Sequence, residues 1–438
     1  MTNKIKYKQT EIGEIPEDWN IARLADFTLL NPQRNLKKKQ DAKHVSMANL
    51  RLFDKKIVNY EIKPYNGGVK FINTDSLLAR ITPCLENGKT AYVDILDDNE
   101  VGFGSTEFIV LNGKEGKTDS QYVYYLSCSP KFRDIAIKSM IGSSGRQRVQ
   151  TDKLASSVFA FPSLLEQQQI ASILSSLDDK IELNRRINKT LEEIGKALFK
   201  RWFVDFEFPF DFAQGKPNDD GKPYKSSGAE IVESEFGEIP EGWEVKKLSD
   251  FGKIICGKTP PKSDARFFDG KIPFIKIPDM HGNSFIVKTE DALSEKGRDY
   301  QKNKTLPKYS LCVSCIATVG LVSITSQESQ TNQQINSIVP SDLKFLPYLY
   351  FQLKSMGQKL IDYASGGSAT PNLNTGDFAG LSIVFPQNKL LSSFFNVVWP
   401  LFEQILNNDL ENSSLEQTRD SLLPRLMSGK LRIKDYEN

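Results

Sequence analysis

The chain has 438 residues, of which 39% are hydrophobic and 26% charged, and its formal net charge at pH 7 is +2. This composition is typical of a globular protein of roughly two to four domains, and by itself it does not indicate a nucleic-acid-binding protein. No run approaches the roughly 18 consecutive apolar residues of a membrane span, and the first residues lack the apolar core of a signal peptide. We therefore expect a cytoplasmic protein without membrane contact.

The residues up to about Ser163 predict an α+β unit. Helical spacing predicts a helix over Ser120–Ser139 that Pro130 interrupts. Short apolar runs bounded by Asn-Gly, Gly-Gly and Asp-Asp turns predict strands at 44–51, 56–63, 68–82, 89–96 and 106–112.

Basic residues are concentrated in the loop from Asn31 to Lys43, which includes Arg34 and Lys37. Such a charge run is most often a solvated face. A basic loop on a domain of otherwise balanced charge is also typical of a local phosphate-binding patch, so both interpretations stay open.

Leu164–Asp205 has the spacing of a long amphipathic helix with a coiled-coil seam. At about 1.5 Å per residue, its roughly 40 residues span about 60 Å, which is more than a core helix needs. Because one helix cannot bury its own seam, we expect a partner helix, with a polar break that fixes the register. One heptad position holds Ile170, Leu177, Asn184, Leu191 and Leu198, and the position three residues later holds Ile173, Ile187 and Ile194.

Residues 207–230 are rich in Pro, Gly, Asp and Ser and have no periodic pattern, which predicts an exposed connector. A second α+β unit is predicted over 231–387. Its strands are expected at 271–278, 284–289, 310–325 and 332–340, and its helix at 347–364.

The second half of the chain repeats the first. The block EIGEIPEDWNIARLADF at Glu11–Phe27 returns 224 residues later as EFGEIPEGWEVKKLSDF at Glu235–Phe251. The chain is therefore a tandem duplication, and a second long helix is the partner of the first. Pro400 and Pro424 predict a break or kink in this second helix. The same offset places its seam at Phe394, Leu401, Asn408, Leu415 and Leu422.

No motif predicts catalysis. Gly252–Thr259 fits the G-x-x-x-x-G-K-T phosphate-binding loop, but two prolines follow where a helix must begin, so we expect an ordinary turn. Asp178, Asp179 and Lys180 resemble a fragment of a nuclease site, yet we expect them on a solvated helix face.

The five cysteines are an odd number without a scaffold pattern, so disulfides are not expected. Cys312 and Cys315 form a C-x-x-C in a strand-like run without a second pair, and the chain has two histidines. We therefore expect neither a metal site nor a catalytic site, and we interpret the chain as a binding protein.

The candidate DNA-binding residues lie on loops of the two α+β units. Arg pairs bidentately with guanine and Asn or Gln with adenine, while Lys, Ser and Thr mainly hold phosphates. A Gly/Ser turn precedes each long helix, and the two turns differ in their side chains, as expected of two reading surfaces on one frame. The alternative interpretation is that these are turn residues exposed to water. The candidates are Arg34, Lys37, Arg80, Lys89, Arg146, Gln147 and Arg148 in the first half and Lys258, Arg266, Lys276, Thr370, Asn372 and Asn374 in the second.

The chain resembles the specificity subunit of type I restriction-modification enzymes. The resemblance rests on GEIPEDW and GEIPEGW, which open the repeats, on GKTP, on GSSGRQRV and GGSATPNLN before the helices, and on QQIASILSSLDDKIELN in the first helix. It implies an α+β fold with two pseudo-repeated globular recognition domains separated by two long helices that form an antiparallel coiled coil. Target recognition domains are expected at 1–163 and 231–387, a central conserved helical region at 164–206, a connector at 207–230 and a distal conserved helical region at 388–438.

The resemblance also implies a function. Each recognition domain would read one half of a bipartite site in double-stranded DNA. The helices would set the spacer and dock two methylation subunits, and restriction subunits would join the full complex. The chain would have no active site and bind no cofactor, since S-adenosylmethionine, ATP and Mg are expected on the partner subunits.

Two other interpretations remain open. A symmetric coiled-coil scaffold for two protein partners, without a role in nucleic-acid binding, would also explain the duplication. A nucleotide hydrolase would use Gly252–Thr259.

Overall fold

The computed structural model describes residues 6–143, 145–209, 222–365 and 371–433. The chain folds into two units. Unit 1 comprises Met1–Leu183 with Ser414–Asn438, and unit 2 comprises Asn184–Ser413. Both units combine short strands with short helices, so the predicted α+β class is confirmed.

The short helices of unit 1 are α1 Leu24–Phe27, α2 Ser120–Cys128, α3 Pro130–Lys138 and α4 Thr151–Ser156. Helices α2 and α3 meet at the predicted proline, where the Ser129 side chain caps α3 by accepting a hydrogen bond from the backbone N–H of Phe132. The strands are β1 Tyr7–Thr10, β2 Gly13–Pro16, β3 Asn20–Arg23, β4 Thr28–Leu30, β5 Asp41–Val45, β6 Glu61–Pro64, β7 Val69–Phe71, β8 Ser76–Ala79, β9 Thr90–Tyr92, β10 Gly102–Gly104, β11 Phe108–Gly113, β12 Met140–Ile141, β13 Arg148–Val149 and β14 Val158–Phe161.

Two four-stranded sheets form the body of unit 1. One has the order β4-β11-β8-β9 and is antiparallel, and the other has the order β6-β5-β10-β7 with β10 parallel to β5. Strands β8 and β11 are buried on both faces, with Leu78 and Ile109 in the core that includes α2 and with Leu77 and Val110 in a second core. Because both faces are covered, these strands are continuous apolar runs rather than alternating ones.

Unit 2 has a five-stranded sheet and a three-stranded sheet. Its strands are β15 Ile231–Ser234, β16 Gly237–Pro240, β17 Glu244–Lys247, β18 Gly252–Cys256, β19 Phe268–Ile275, β20 Phe285–Ile286, β21 Asp291–Leu293, β22 Leu311–Ser314, β23 Val322–Thr325, β24 Gln330–Thr331, β25 Ile335–Pro340 and β26 Ser382–Phe385. The strand orders of the two sheets are β18-β25-β22-β23-β20 and β21-β19-β24. The short helices are α6 Ile277–Met280, α7 Glu295–Tyr300, α8 Phe345–Ser355, α9 Gly357–Ala364 and α10 Thr375–Gly380.

The same framework recurs in both units. Hairpin β1–β2 corresponds to hairpin β15–β16, and the turn glycines Gly13 and Gly237 have φ angles of 100° and 88°, which favour glycine. Strand β3 pairs with β14 in unit 1 as β17 pairs with β26 in unit 2. The duplication inferred from the sequence is therefore a duplication of fold.

The two long helices are α5 Leu164–Phe199, which continues into a π-helical turn over Lys200–Val204, and α11 Asn388–Met427. Each helix contributes one part to each unit. In unit 1, Leu174 near the start of α5 shares a core with Leu426 near the end of α11. In unit 2, Phe199 at the end of α5 shares a core with Phe394 near the start of α11. The helices therefore pack antiparallel.

Asparagines from both long helices form a polar layer in unit 2. The buried Asn184 donates from Nδ2 to Oδ1 of Asn412 at 3.0 Å and to Oε2 of Glu411 at 2.7 Å. Asn408 donates from Nδ2 to Oδ1 of Asn188 at 2.7 Å. Since residues 408 and 412 are the repeat equivalents of residues 184 and 188, the two bonds between asparagines are reciprocal.

The second heptad position of α5 departs from the prediction. Ile173 and Ile194 are 37% and 44% exposed, whereas Leu174 and Ile181 are buried. The buried stripe therefore lies four residues after the first heptad position rather than three, because the partner covers that face. At the first position of both helices, Ile170, Asn184, Phe394 and Asn408 are buried, and Leu177, Leu191, Leu198, Leu401, Leu415 and Leu422 are partly buried.

Helix α11 continues through Pro400 and Pro424, so the predicted break is wrong. A proline leaves the carbonyl four residues earlier without its helical donor. For Pro400 this carbonyl belongs to Asn396, an exposed residue whose backbone water can reach. On the opposite face, the buried Val398 and Phe402 anchor the helix on both sides of this proline.

Asp178 is buried, which corrects the expectation that this residue lies on a solvated helix face. Its carboxylate accepts a hydrogen bond of 2.7 Å from the Tyr125 hydroxyl and pairs with Arg419 of α11 at 2.7 Å. The neighbouring Asp179 side chain is 59% exposed. Asp178 is thus part of a buried ion pair that holds α5, α11 and α2 together in unit 1, and not part of a nuclease site.

The end of the described chain is held in unit 1 by a second buried ion pair. The Arg432 guanidinium donates to Glu166 at 2.6 Å and to Asp18 at 2.8 Å. The indole N–H of Trp19 donates to the same Glu166 carboxylate at 3.2 Å. The carboxylates of Asp18 and Glu166 offset the charge of this buried arginine.

Candidate nucleic-acid interface

Three segments of unit 1 meet at one end of its antiparallel sheet. The backbone N–H of Arg80 donates to the carbonyl of Glu107 at 2.9 Å, and the Arg80 carbonyl accepts from Val149 at 2.9 Å. The backbone N–H of Thr82 donates to the carbonyl of Gln147 at 3.0 Å. We refer to residues 80–82, 105–107 and 146–148 as loop surface 1.

Three segments of unit 2 meet in the same way. Cys315 donates to Gln334 at 2.8 Å and accepts from Leu373 at 2.8 Å, and Ala317 donates to Pro371 at 3.1 Å, in each case between backbone atoms. We refer to residues 315–317, 332–334 and 371–374 as loop surface 2.

These bonds make the two surfaces equivalent residue by residue. Glu107 corresponds to Gln334, and Arg148 corresponds to Asn372, because each pair occupies the same place in the hydrogen-bond pattern. Single bridges between strands, Ile81 with Arg148 and Ile316 with Asn372, repeat the correspondence.

Loop surface 1 presents an exposed ion pair. The Arg148 guanidinium donates from Nε to both oxygens of Glu107 at 3.0 Å and from Nη2 to Oε1 at 2.7 Å. Hydrogen bonding to Arg148 holds the pKa of Glu107 below its usual value, and the same bonding raises the pKa of Arg148. The two side chains are 45% and 25% exposed, so both can be reached from solvent.

The other candidates on loop surface 1 differ in accessibility. Arg146 is exposed, whereas Gln147 is half-buried and donates from its backbone N–H to the Thr82 hydroxyl at 3.0 Å. Arg80 is half-buried, and its Nε has no hydrogen-bond partner within the described residues. Loop surface 1 carries three arginines, Arg80, Arg146 and Arg148, and one carboxylate, Glu107, so this end of the sheet is locally basic.

Two of the remaining candidates in unit 1 hold loops in place. Arg34 pairs through Nη2 with the fully buried Asp75 at 3.1 Å, and burial raises the pKa of Asp75. Lys89 donates to the backbone carbonyl of Met47 at 2.8 Å. Lys37 is exposed, so its side chain can reach a phosphate.

In unit 2, Asn372 and Lys258 are exposed. Asn374 caps helix α10, since its Oδ1 accepts from the backbone N–H of Asp377 at 2.9 Å. Thr370 lies outside the described residues. Asn372 and Asn374 are therefore both exposed on the last segment of loop surface 2.

Three basic candidates of unit 2 lie outside loop surface 2, and two of them, Arg266 and Lys276, are paired with carboxylates. Arg266 forms two hydrogen bonds of 2.7 Å with Asp264, which hold the pKa of this carboxyl at about 2. Lys276 forms an ion pair with Asp291.

Sequence reasoning missed Glu107 and Gln334. Both residues directly precede an apolar strand, FIVLNG and INSIVP, and aligning these two strands would have shown an acid replaced by an amide at one equivalent position. Neither residue lies in the Gly/Ser turns, which were the basis of the predicted contacts.

The residues considered for catalysis do not form a site. Gly252–Thr259 begins in β18 and continues as a loop, without the helix that a phosphate-binding loop requires at Lys258. Cys312 and Cys315 are buried, and burial raises their pKa values to about 12 and about 11. Among the described residues, no group of three or more His, Cys, Asp or Glu side chains could hold a metal ion. No helix among them is long and apolar enough to cross a membrane.

A family model described as type I restriction modification DNA specificity domain matches residues 16–193 and, a second time, residues 240–398. The two matches together cover more than half of the chain and fall on the two repeats. The chain therefore belongs to the family of type I restriction-modification DNA specificity proteins.

Individual relatives agree with this assignment. The HindI specificity subunit of Haemophilus influenzae is 40% identical over 400 residues, which are 82% of this chain and 86% of the relative. The MjaIX specificity subunit of Methanocaldococcus jannaschii is 26% identical over 443 residues, which are 98% and 97% of the two chains. The crystal structure of a type I restriction-modification S subunit from M. genitalium has the same fold, with a TM-score of 0.56 at 15% identity over 97% of each chain.

The predicted family, fold class and general function are confirmed. This protein supplies DNA specificity to a type I restriction-modification system and is a non-catalytic subunit of it.

Proposed function

We propose that residues 1–163 and 231–387 each read one half of a bipartite site in double-stranded DNA. The observation that supports this most directly is that loop surfaces 1 and 2 share their backbone hydrogen bonds but differ in side chains. A frame that is kept while its exposed side chains change suits two different half-sites.

Within this proposal the candidate residues divide by role. The exposed Arg146, Lys37 and Lys258 contact DNA directly, since an exposed basic side chain can reach a phosphate or a base edge. Arg34 and Lys89 position loops through their bonds to Asp75 and Met47.

We further propose that the paired helices of 164–206 and 388–438 set the unread gap between the half-sites, with 207–230 as connector. Two half-sites on the same face of B-DNA are separated by about 34 Å, or one helical turn, and a rigid pair of helices can hold two domains at such a distance. The bond between Asn184 and Asn412 shows which residues of the two helices face each other. Deleting residues 177–183 together with 413–419 therefore removes seven facing residues from each helix.

This deletion should shorten the gap by about three base pairs, because seven residues span about 10 Å and one base pair about 3.4 Å. Methylome sequencing of a host that expresses this chain and its methylation partner, compared with a host lacking this chain, reads the half-sites and the gap together. If the deletion changes the half-sites and leaves the gap, the spacer role of the helices is wrong.

The two methylation subunits dock on the long helices in this proposal. Ile173 of α5 and Val397 of α11 are repeat equivalents, and both are exposed, at 37% and 48%. Exposed apolar side chains at two equivalent positions suit two copies of one partner. Restriction subunits also join the full complex in this proposal. S-adenosylmethionine, ATP and Mg bind to the partner subunits, and the complex works in the cytoplasm.

A symmetric scaffold without nucleic-acid binding predicts no binding to DNA, whereas DNA recognition predicts binding that depends on salt. DNA binding by phosphate contacts weakens steeply as salt rises, because counterions are released. We expect the affinity of the complex with its methylation subunits for a DNA carrying the methylated motif to fall at least tenfold between 50 and 200 mM salt. A measurement showing no binding to that DNA at either salt concentration would favour the scaffold.

A further inference from the structure

We propose that Glu107 and Arg148 read a G·C pair in one half-site, and that their equivalents Gln334 and Asn372 read an A·T pair at the corresponding position of the other. This inference rests on the proposed reading of a bipartite site. It goes further by naming the side chains that make the two half-sites differ and the base pair that each set selects.

The positions correspond by geometry rather than by sequence alignment alone. The backbone carbonyl of Glu107 accepts a hydrogen bond from Arg80, the residue that follows strand β8. The backbone carbonyl of Gln334 accepts one from Cys315, the residue that follows strand β22. Arg148 and Asn372 each form a bridge with the next residue of that segment, Ile81 or Ile316. If both domains dock on DNA in the same way, these side chains meet base pairs at the same place in their half-sites.

The pair in unit 1 has the chemistry of a G·C reader. Arg148 presents Nε and Nη2 as a fork to the Glu107 carboxylate, and the same fork matches O6 and N7 of guanine. A carboxylate close to DNA is repelled by phosphates, but it can accept from the amino group of cytosine. Glu107 therefore suits a base edge rather than the backbone, and in the absence of DNA it holds Arg148 in place.

The pair in unit 2 has the chemistry of an adenine reader. Gln334 and Asn372 carry no charge, and each amide has one acceptor and donors that match N6 and N7 of adenine. Asn332 donates to Oε1 of Gln334 at 2.9 Å, which orients this amide. Asn372 is exposed beside it on loop surface 2.

The test exchanges the two pairs. A double variant with Glu107→Gln and Arg148→Asn places the pair of unit 2 on unit 1, and the reverse variant has Gln334→Glu and Asn372→Arg. Each variant is expressed with its methylation partner in a host that lacks the native system, and the methylome is sequenced. We expect the first variant to change one G·C pair to A·T in a single half-site, and the reverse variant to make the opposite change in the other half-site.

Binding by the purified complex with its methylation subunits gives a second reading that does not require methylation. The first variant should bind the original DNA roughly 5- to 150-fold more weakly than a DNA carrying the substituted base pair. The control is Lys153→Gln, which removes one positive charge from an exposed residue of helix α4 and should keep the methylated motif unchanged.

The possible results distinguish a failure of this inference from a failure of the proposed function. If both double variants bind the original DNA as the wild type does and keep its motif, this inference is overturned while the bipartite site stands. Equal weakening on the original and the substituted DNA also overturns it, because the residues would then support the loop without reading a base. A wild-type chain that yields no bipartite motif would instead refute the proposed function.

Discussion

Replacing Asp178 by Asn should destabilise unit 1 far more than the same change at the next residue. Asp178 is 5% exposed, and its partner Arg419 has a side chain that is 11% exposed. Removing one member of a buried ion pair leaves an uncompensated charge, which costs about 3–5 kcal/mol. Arg419 keeps a contact with the exposed Asp420, and Asn can still accept from Tyr125, so we expect a loss of about 2–3 kcal/mol in the free energy of unfolding.

Hydrogen exchange of peptides from helix α2 measures this loss within unit 1, which a single melting temperature of a two-unit chain does not. The expected loss corresponds to a roughly 30- to 150-fold increase in the opening equilibrium. The matched control is Asp179→Asn, whose side chain is 59% exposed and pairs with Lys55 at 3.8 Å, so that this change should cost less than about 1 kcal/mol.

A second variant identifies the cause. Combining Asp178→Asn with Arg419→Met removes both charges and should restore most of the protection, since a buried pair can be replaced by apolar groups at little cost. Equal protection in the variants of Asp178 and Asp179 would refute the reasoning, and so would a double variant weaker than Asp178→Asn alone.

Three further predictions concern the long helices. Asn184→Leu leaves Asn412 without its donor and should cost about 1–3 kcal/mol in urea unfolding, while adding Asn412→Leu should recover part of the loss; no recovery would contradict the importance of the pair. Burial raises the pKa of Asp409 to about 7, so the folded state binds this proton more tightly than the unfolded state, and stability should fall by about 2–4 kcal/mol as pH rises from 4 to 7. Asp409→Asn should flatten this part of the stability profile, and an unchanged slope would assign it to other groups. Ile173→Asp and Val397→Asp should each reduce the number of bound methylation subunits from two to one in native mass spectrometry, and two retained copies would place docking elsewhere.

The duplicated framework could be predicted because its signals, a heptad spacing and a repeated block, can be read directly along the sequence. The heptad spacing gave the two long helices, and the repeated block at Glu11–Phe27 gave the two domains. Pro130 separated α2 from α3 as expected, because it fits the first turn of a helix but not its interior. Strand β10 was missed, since Gly102–Gly104 has no alternating pattern and is held by its neighbours β5 and β7.

The predictions were wrong where the burial of a residue depends on parts of the chain that are distant in sequence. Whether Leu174 or Ile173 is buried depends on which face of α5 the second helix and α2 cover, and both residues are apolar. Asp178 was placed on a solvated face because its partners Tyr125 and Arg419 come from distant parts of the chain. Glu107 and Gln334 each directly precede an apolar strand and lie outside the Gly/Ser turns on which the predicted contacts were based, and hydrogen bonds between segments far apart in sequence establish that they are equivalent.

The reciprocal asparagine bonds make each long helix complementary to its own repeat. Asn184 and Asn188 of one copy satisfy Asn412 and Asn408 of the other, so either copy carries both halves of the same contact. A chain with one repeat could make both bonds with a second identical chain across a twofold axis. The present protein is thus what gene fusion would yield from a symmetric homodimer, and fusion frees each half to diverge in the sequence it reads.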